Sequence, residues 1–397
     1  MQIEETGRAY DFENEVSRAG TGNMKGRMAE KLREKGIADP IVLFGAEMDF
    51  PTAPCIREKL EAFAREGIYG FTLADEAYLD AICWWIEHVR GMEVAPEWIL
   101  PVQGTTFALS ICLRALTKPG EKVLLMSPSY YRFDRAVLCN EREPIYHSLL
   151  LEDDGYQINW TDLERKLSDP ACTLMVLVNP HNPTGKVFRE EDLRRIAALA
   201  GKHKVTVFSD EIFAETAQPG FEVMPYIAVD PMGITCTSLG KAFNLTGVNQ
   251  ANLIVPDETL REKLRIQRDR DHFGSIDPFF YQELLAAYTP EGADWIREVN
   301  THTAENARLV RETLREQMPK IRLLPVEGTF IGWLDCRNLG LDDPSLEAFF
   351  EQAGIYADPG IEYGEAGRGF YRWNLATPRE KLEKALRQLK EVYDEKA

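Results

Sequence analysis

The chain has 397 residues, 44% of them hydrophobic and 28% charged, so it has the composition of a globular protein and enough length for two domains. Its 46 Lys and Arg residues against 64 Asp and Glu residues give a net charge of −18, which argues against binding to nucleic acid or an anionic membrane. Seven cysteines without a Cys-x-x-Cys pair favour a reducing, cytoplasmic location and no metal site.

Residues 1–50 are interpreted as an N-terminal arm that belongs with a smaller domain and carries a first helix from Met24 to Lys35. The start of the arm is acidic and polar, so we expect no secretory signal. No apolar run of the chain has membrane-spanning length, so we also expect no membrane partner.

A large α/β domain is expected over residues 51–288, because apolar strands alternate there with helices such as 189–203. Residues 289–397 follow a Thr-Pro break and are expected to form the smaller domain. We predict that this part begins with a long helix at 291–318, followed by strands at 329–335 and 370–375.

A phosphate site is predicted where a helix follows an early buried strand. Gly104, Thr105 and Thr106 come before an apolar-periodic segment that stops at Pro119-Gly120, so they begin a helix. The free N–H groups and positive dipole end of a helix suit a phosphate, and the Thr106 hydroxyl adds a donor. A plain N-cap is the alternative.

Two further segments place polar groups directly after apolar runs. In 123-VLLMSPSYYRF-133, Tyr130 follows a strand that ends in Ser-Pro, and its ring can lie on a flat cofactor. In 174-LMVLVNPHNPTGKV-187, Asn182 offers an amide to a cofactor oxygen. An ordinary turn is the alternative for the second segment, since Asn-Pro is typical of turns.

Asp210 lies at the carboxyl end of a predicted strand in 205-VTVFSDEIF-213, where open α/β sheets bind ligands. A carboxylate there can pair with a protonated ring nitrogen and keep an aromatic cofactor cationic. Capping of a helix that starts at Glu211 is the alternative.

Lys241 is the centre of the predicted site. In 233-GITCTSLGKAFNLTGVNQ-250 it follows a β-branched run and stands among small residues, three positions after Ser238. An amine in such a loop is a candidate Schiff-base former, although a lysine in a loop is more often a solvated charge. The upstream segments favour the first interpretation, because they supply the phosphate site and the ring partners that such an amine requires.

Taken together and in this order, the motifs resemble those of fold-type I pyridoxal-phosphate enzymes, the class I/II aminotransferase superfamily. Within it they resemble the MalY/PatB-like cystathionine β-lyase subgroup. The resemblance implies a large, mainly parallel sheet flanked by helices, a smaller α+β domain, pyridoxal 5′-phosphate as cofactor and a homodimer with shared active sites. The segments that carry it are 47-EMDFPTAPCI-56, 68-IYGFT-72, 128-PSYYRF-133, 179-NPHNPTGKV-187, 209-SDEI-212, 238-SLGKAFNLTG-247 and 367-GRGFYRWNLATPR-379.

The resemblance also implies the residues that hold and activate the cofactor ring. Lys241 would bind the cofactor covalently and then carry protons during catalysis. Asp210 would hold the ring nitrogen, Asn182 the phenolic oxygen, and Tyr130 would stack on the ring.

The same resemblance implies the two anion sites. Thr105, Thr106 and Ser238 would hold the phosphate beside Gly104. Arg372 would bind the substrate α-carboxylate as a two-pronged fork, together with Asn182.

Three positions depart from common patterns of the superfamily. Many relatives carry a tyrosine, donated by the partner subunit towards the phosphate and substrate, where Phe71 stands. The resemblance therefore implies that Phe71 contacts the substrate and that Tyr69, two residues earlier on the same side of the chain, contacts the cofactor. A His or Tyr often stands near the phenolic oxygen at the position of Phe213, which has no polar group. Aminotransferases commonly have a phosphate-binding arginine where Asn249 stands, and the lyase-like subgroup lacks it.

The sequence leaves three functions open. A β-lyase uses Lys241 to remove the α-proton before a thiolate leaves the β-carbon, and an aminotransferase begins in the same way. Both require Lys241, Asp210 and Arg372, so these residues do not separate them. A cofactor-binding protein that mainly contacts a partner is the third possibility. Asn249 and the subgroup motifs favour a lyase acting on an amino acid such as cystathionine or cysteine.

Overall fold

A seven-stranded sheet is the largest element of the computed structural model, which describes residues 10–153 and 155–396. Residues 1–9 of the predicted arm therefore lie outside the described residues. The prediction of no secretory signal depends largely on these residues.

Twelve α-helices and fifteen strands are numbered in chain order within the described residues. The helices are α1 Met24–Glu34, α2 Pro54–Glu66, α3 Glu76–Arg90, α4 Gly104–Leu116, α5 Tyr131–Cys139, α6 Trp160–Leu167, α7 Glu190–His203, α8 Glu258–Arg270, α9 Pro278–Ala287, α10 Pro290–Gln317, α11 Asp343–Gln352 and α12 Arg379–Lys396. The strands are β1 Ile41–Val42, β2 Ile99–Val102, β3 Lys122–Ser127, β4 Glu143–Ser148, β5 Leu150–Glu152, β6 Gly155–Gln157, β7 Cys172–Val178, β8 Thr206–Asp210, β9 Ile234–Thr237, β10 Ala251–Ile254, β11 Arg322–Leu323, β12 Ile331–Asp335, β13 Ile355–Tyr356, β14 Asp358–Pro359 and β15 Phe370–Asn374.

The large sheet has the order β2-β10-β9-β8-β7-β3-β4. Its neighbours pair in parallel except for β10, which is antiparallel to both β2 and β9. Apolar side chains of α4, α5 and α8 pack on one face, and those of α6 and α7 pack on the other. The predicted α/β fold, a mainly parallel sheet flanked by helices, is therefore confirmed.

A second, four-stranded sheet is antiparallel and has the order β11-β12-β15-β14. Its core is shared with α10, α11 and α12. The N-terminal strand β1 pairs in parallel with β13, which joins the first part of the chain to the last. The domain boundaries at residues 50 and 288 stay predictions. They assign the N-terminal arm to the smaller domain, and the pairing of β1 with β13 is consistent with that assignment.

None of the helices within the described residues combines the length and the apolar content needed to cross a bilayer. The longest of them is α10 with 28 residues, and its exposed face is charged.

A buried ionic cluster fastens the N-terminal arm to the rest of the molecule. The Asp49 carboxylate is 1% exposed and lies 2.7 Å from Lys25 Nζ, 2.6 Å from Arg18 Nη1 and 2.9 Å from Lys381 Nζ. It also accepts a hydrogen bond from the Thr377 hydroxyl at 2.7 Å. Burial alone would raise the pKa of Asp49, but the adjacent cations outweigh it and lower that pKa.

Replacement of Asp49 by Ala should destabilise the fold strongly, because it leaves the buried Lys25 ammonium without a counter-charge. Removing one partner of a buried pair costs about 3–5 kcal/mol. The free energy of unfolding measured in urea at pH 7 tests this. Because the native pKa of Asp49 is lowered, its stabilising effect is present above about pH 4. The deficit should therefore shrink as the pH falls below that value.

The matched control is Glu15→Gln, which removes the half-exposed partner of Lys381. An exposed ion pair contributes less than about 1 kcal/mol, so this variant should stay close to the wild type. Equal losses in the two variants would mean that the buried cluster does not fasten the arm.

Candidate active site

The carboxyl ends of the parallel strands meet at one edge of the large sheet and line a cavity of about 1110 Å³. Gly104 follows β2, Tyr130 follows β3, Asn182 follows β7, Asp210 ends β8 and Lys241 follows β9. All five line the cavity, because parallel strands bring their carboxyl ends to the same edge. The cavity is also lined by the other predicted residues Thr105, Thr106, Phe213, Ser238 and Arg372.

The Lys241 amine lies inside this cavity. Its Nζ donates a hydrogen bond to the Ala46 carbonyl at 3.1 Å and lies 5.6 Å from the centre of the Phe213 ring. Burial, followed by repulsion from Arg372, lowers the pKa of Lys241 to about 8. A lysine with such a pKa is partly neutral near physiological pH, and only the neutral amine is a nucleophile or base.

The loop that carries Lys241 is closed at its base. Because β9 and β10 are antiparallel neighbours, residues 238–250 leave and re-enter the same edge of the sheet. The Ser238 hydroxyl donates to the Gln250 carbonyl at 2.8 Å and accepts from the Gly240 N–H at 3.2 Å. The predicted role of Ser238 in phosphate binding stays a prediction, since its proton already has an acceptor.

Asp210 is a buried carboxylate without a counter-ion among the described residues. It is 3% exposed, accepts a hydrogen bond from the Ile212 N–H at 3.3 Å, and forms no ion pair with a Lys, Arg or His of the described residues. Burial raises the pKa of Asp210 to about 7, and Lys241 opposes that change. Such a carboxylate fits a cationic ring nitrogen. The chain continues into a turn and a short 3₁₀ helix at Ala214–Thr216, so the alternative of a helix starting at Glu211 is wrong.

The start of α4 fits a phosphate group. Gly104 has a φ of +73°, in the left-handed region that favours glycine, and Gln103 before it makes no side-chain capping bond. The N–H groups of the first turn therefore lack a cap at the helix start, as the phosphate interpretation requires. Asn249 lies against this turn, with its Cβ 3.7 Å from where a Gly104 side chain would begin.

Arg372 is held in a buried network that includes an unpredicted residue, Asp358. The two stand opposite each other on β15 and β14. Arg372 Nη2 lies 2.7 Å and Nε 3.1 Å from Asp358 Oδ2, and Nη1 donates to Asn182 Oδ1 at 3.1 Å. The guanidinium also lies 5.1 Å from the centre of the Tyr363 ring. Burial lowers the pKa of Arg372, but Asp358 outweighs it and raises that pKa.

Asn182 is oriented by this network. Its side-chain oxygen accepts from Arg372, which turns the amide NH₂ group away from the guanidinium. The NH₂ group is thus available to donate to another acceptor in the cavity, as the predicted contact with a phenolic oxygen requires.

The segment at residues 45–50 lines one side of the cavity through Gly45, Ala46 and Glu47, and the sequence did not reveal how it is held. The Asn244 side chain accepts from the Met48 N–H at 2.7 Å and donates to the Phe50 carbonyl at 2.9 Å. From the other side, Asn374 donates to the Gly45 carbonyl at 3.1 Å. Asn244 has a φ of +58°, which asparagine tolerates better than most residues.

Tyr69 and Phe71 do not line this chain's own cavity. The Tyr69 hydroxyl donates to the Ala64 carbonyl at 2.8 Å, and its ring packs against Phe63 and Phe279. Phe71 is 97% exposed. Their predicted roles act across a dimer and therefore stay predictions.

The fold and the cavity define a lysine-centred α/β enzyme site, and comparison with known proteins agrees. The model of the family Aminotransferase class I and II matches residues 39–389, and the chain belongs to this family. It is 33% identical over 385 residues to Cystathionine beta-lyase PatB of Bacillus subtilis, covering 96% of this chain and 99% of that protein. Protein MalY of Escherichia coli is 30% identical over 383 residues, covering 95% and 97%.

Solved structures with this fold contain the expected cofactor. Cystalysin from Treponema denticola, whose structure contains pyridoxal 5′-phosphate, superposes with a TM-score of 0.91 at 28% identity, covering 98% of this chain and 100% of that one. The PLP-bound C-S lyase from Staphylococcus hominis has a TM-score of 0.90 at 25% identity, covering 97% and 99%. The predicted superfamily and subgroup are confirmed by these relatives.

Replacement of Asp210 by Asn should stabilise the cofactor-free protein at high pH. Burial raises the native pKa of Asp210 to about 7, so the native state resists ionisation that the unfolded chain undergoes near pH 4. Wild-type stability relative to the variant should fall between about pH 4 and pH 7. The gain from Asp210→Asn above pH 7 should be of the order of 2–4 kcal/mol. Urea unfolding of both apoproteins across this range measures it.

Asp335→Asn provides a control of opposite sign. Burial opposes ionisation of Asp335, but Arg337 at 2.8 Å outweighs it and lowers the pKa of Asp335. This variant should be less stable than the wild type above about pH 4, and the deficit should shrink as the pH falls below that value. A gain from Asp210→Asn that does not depend on pH would contradict the assignment of an uncompensated buried charge.

Proposed function

We propose that this chain is a pyridoxal-phosphate-dependent carbon–sulfur β-lyase that acts on cystathionine, cysteine or a related amino acid. One observation carries the cofactor assignment: an amine with a lowered pKa, Lys241, shares a cavity with Asp210, a buried carboxylate without a counter-ion among the described residues. Asn249 in the same cavity then favours the lyase. The cystathionine beta-lyase of Bacillus subtilis and the PLP-bound C-S lyase structure of Staphylococcus hominis support the same reaction class.

The described residues account for how the cofactor would be held. When bound, pyridoxal phosphate supplies an electron sink that stabilises negative charge on the substrate α-carbon. Asp210 would keep the ring nitrogen protonated, and the NH₂ group of Asn182 would donate to the phenolic oxygen. The first turn of α4, from Gly104, would donate backbone N–H groups to the phosphate.

Lys241 is the residue placed to move protons. Its neutral amine would accept the α-proton of a substrate whose α-carboxylate is bound at Arg372. In a β-lyase, the bond between the β-carbon and sulfur then breaks and the thiolate leaves with the electron pair. The ammonium of Lys241 holds a proton that can neutralise this leaving group.

An aminotransferase is the second candidate, because the chain belongs to a family named for that activity. It would use Lys241 for the same first proton transfer. Asn249 separates the two, since it lies at the phosphate end of the cavity where aminotransferases commonly carry an arginine. We therefore place the lyase first.

The test is to incubate the holoenzyme with cystathionine or cysteine, with and without a 2-oxo acid. A lyase releases pyruvate and free thiol without the acceptor, whereas an aminotransferase forms product only when the acceptor is present. Lys241→Ala should lower either activity by about 10²–10⁴-fold, the usual contribution of a general acid–base. Product formation that requires the 2-oxo acid would overturn the lyase assignment.

We also propose that the chain forms a homodimer through the segment 68–73. Its large apolar side chains are exposed in the described part of the chain, and Thr72 forms an isolated bridge with Ile276 that holds the segment in place. An exposed apolar patch of this kind is a typical interaction surface. The exposed residues are Ile68, Tyr69, Phe71 and Leu73.

Phe71→Glu should weaken the dimer, because it places a charge in an apolar contact. Sedimentation of the dilute protein would show a shift towards monomer, together with loss of activity if the active sites are shared. Met232→Glu, a change at another exposed apolar residue, is the control. A wild type that is monomeric and fully active would contradict the proposal.

A further inference from the structure

The guanidinium of Arg372 is already bound to a carboxylate of the protein itself. Both its Nε and Nη2 donate to Asp358 Oδ2, at 3.1 and 2.7 Å, and each residue is 4% exposed. Nε and Nη2 form one of the two edges of the guanidinium on which a carboxylate can bind with two parallel hydrogen bonds.

Only part of the Arg372 donor set is left for a substrate. A guanidinium has five N–H groups, of which two are used by Asp358 and one by Asn182 in the described part of the chain. A substrate carboxylate is therefore restricted to the edge formed by Nη1 and Nη2. It also meets a cation whose charge Asp358 has neutralised at close range.

Asp358 is fixed in this position by the fold. It stands directly opposite Arg372 in the antiparallel pairing of β14 and β15. Its Oδ2 accepts a further hydrogen bond, at 2.9 Å, from the N–H of Gly45, which also lines the cavity. Three donors thus converge on one carboxylate oxygen, and the ion pair is built before any ligand arrives.

We propose that Asp358 determines specificity by competing with the substrate α-carboxylate for Arg372. The pocket then binds a free carboxylate more weakly than an unpaired arginine would, and discriminates little between an amino acid and its amide. The substrate class thereby extends to amino acids whose carboxyl group is amidated. This inference rests on the proposed role of Arg372 as the α-carboxylate site.

The experiment compares 2-methylalanine with 2-methylalaninamide. Neither ligand has an α-proton, so neither elimination nor transamination consumes them, and their dissociation constants can be measured from the visible spectrum of the bound cofactor. In Asp358→Asn the affinity for 2-methylalanine should rise about tenfold while that for the amide stays unchanged, because one nearby negative charge has been removed. Asparagine keeps an oxygen that can accept from Gly45 and Arg372.

Two further variants make the result decisive. Asp335→Asn removes a carboxylate paired with Arg337 in the same small sheet, outside the cavity, and should leave both dissociation constants unchanged. Asp358→Ser replaces the first variant if that one fails to fold, and the same preference for 2-methylalanine is expected.

Weaker or unchanged binding of 2-methylalanine in folded Asp358 variants would overturn the proposal, because Asp358 would then serve to orient Arg372 rather than to compete. Arg372→Met tests the underlying assumption separately. If it leaves the ratio of the two wild-type affinities unchanged, the carboxylate role of Arg372 is wrong, whatever Asp358 does.

Discussion

The position of residues 45–50 determines the geometry of the whole site. This segment is bonded on one side to the lysine loop through Asn244 and on the other to β15 through Asn374, and its Ala46 carbonyl accepts from Lys241. Because the segment is hydrogen-bonded to both the lysine loop and β15, it connects the Lys241 amine to the Arg372 network. The buried cluster around Asp49 holds its end in place, so the site depends on a contact that touches no ligand.

The pKa values of two buried aspartates, Asp49 in the N-terminal arm and Asp210 in the cavity, are shifted in opposite directions. Asp49 is surrounded by three cations, and its pKa is lowered. Asp210 has no counter-ion among the described residues, and its pKa is raised, while the pKa of Lys241 is lowered. A compensated buried charge stabilises the native state, and an uncompensated one costs stability that a bound ligand can return. One such energetic cost therefore lies where the cofactor would bind.

The sequence allowed the strand-end residues to be predicted, because each stands after an apolar run with turn chemistry. Asp210, Asn182 and Lys241 line one cavity, as that reasoning requires, and their roles stay predictions. Asp358 was not predicted, because its contact with Arg372 depends on the register of two short strands that the sequence pattern does not reveal. Asn244 was missed for a similar reason, because its bonds reach residues almost 200 positions away.

The single antiparallel strand of the large sheet has a consequence for how such an enzyme can diversify. Most loops at this edge lead into helices that return the chain across the sheet, so a change of their length displaces a whole layer. The loop at residues 238–250 instead begins and ends at adjacent strands and is tied by Ser238 to Gln250. Its length can therefore change without displacing a layer of helices. An exchange that keeps Asn244, whose side chain is hydrogen-bonded to Met48 and Phe50, can alter the neighbours of the amine, Asn249 included.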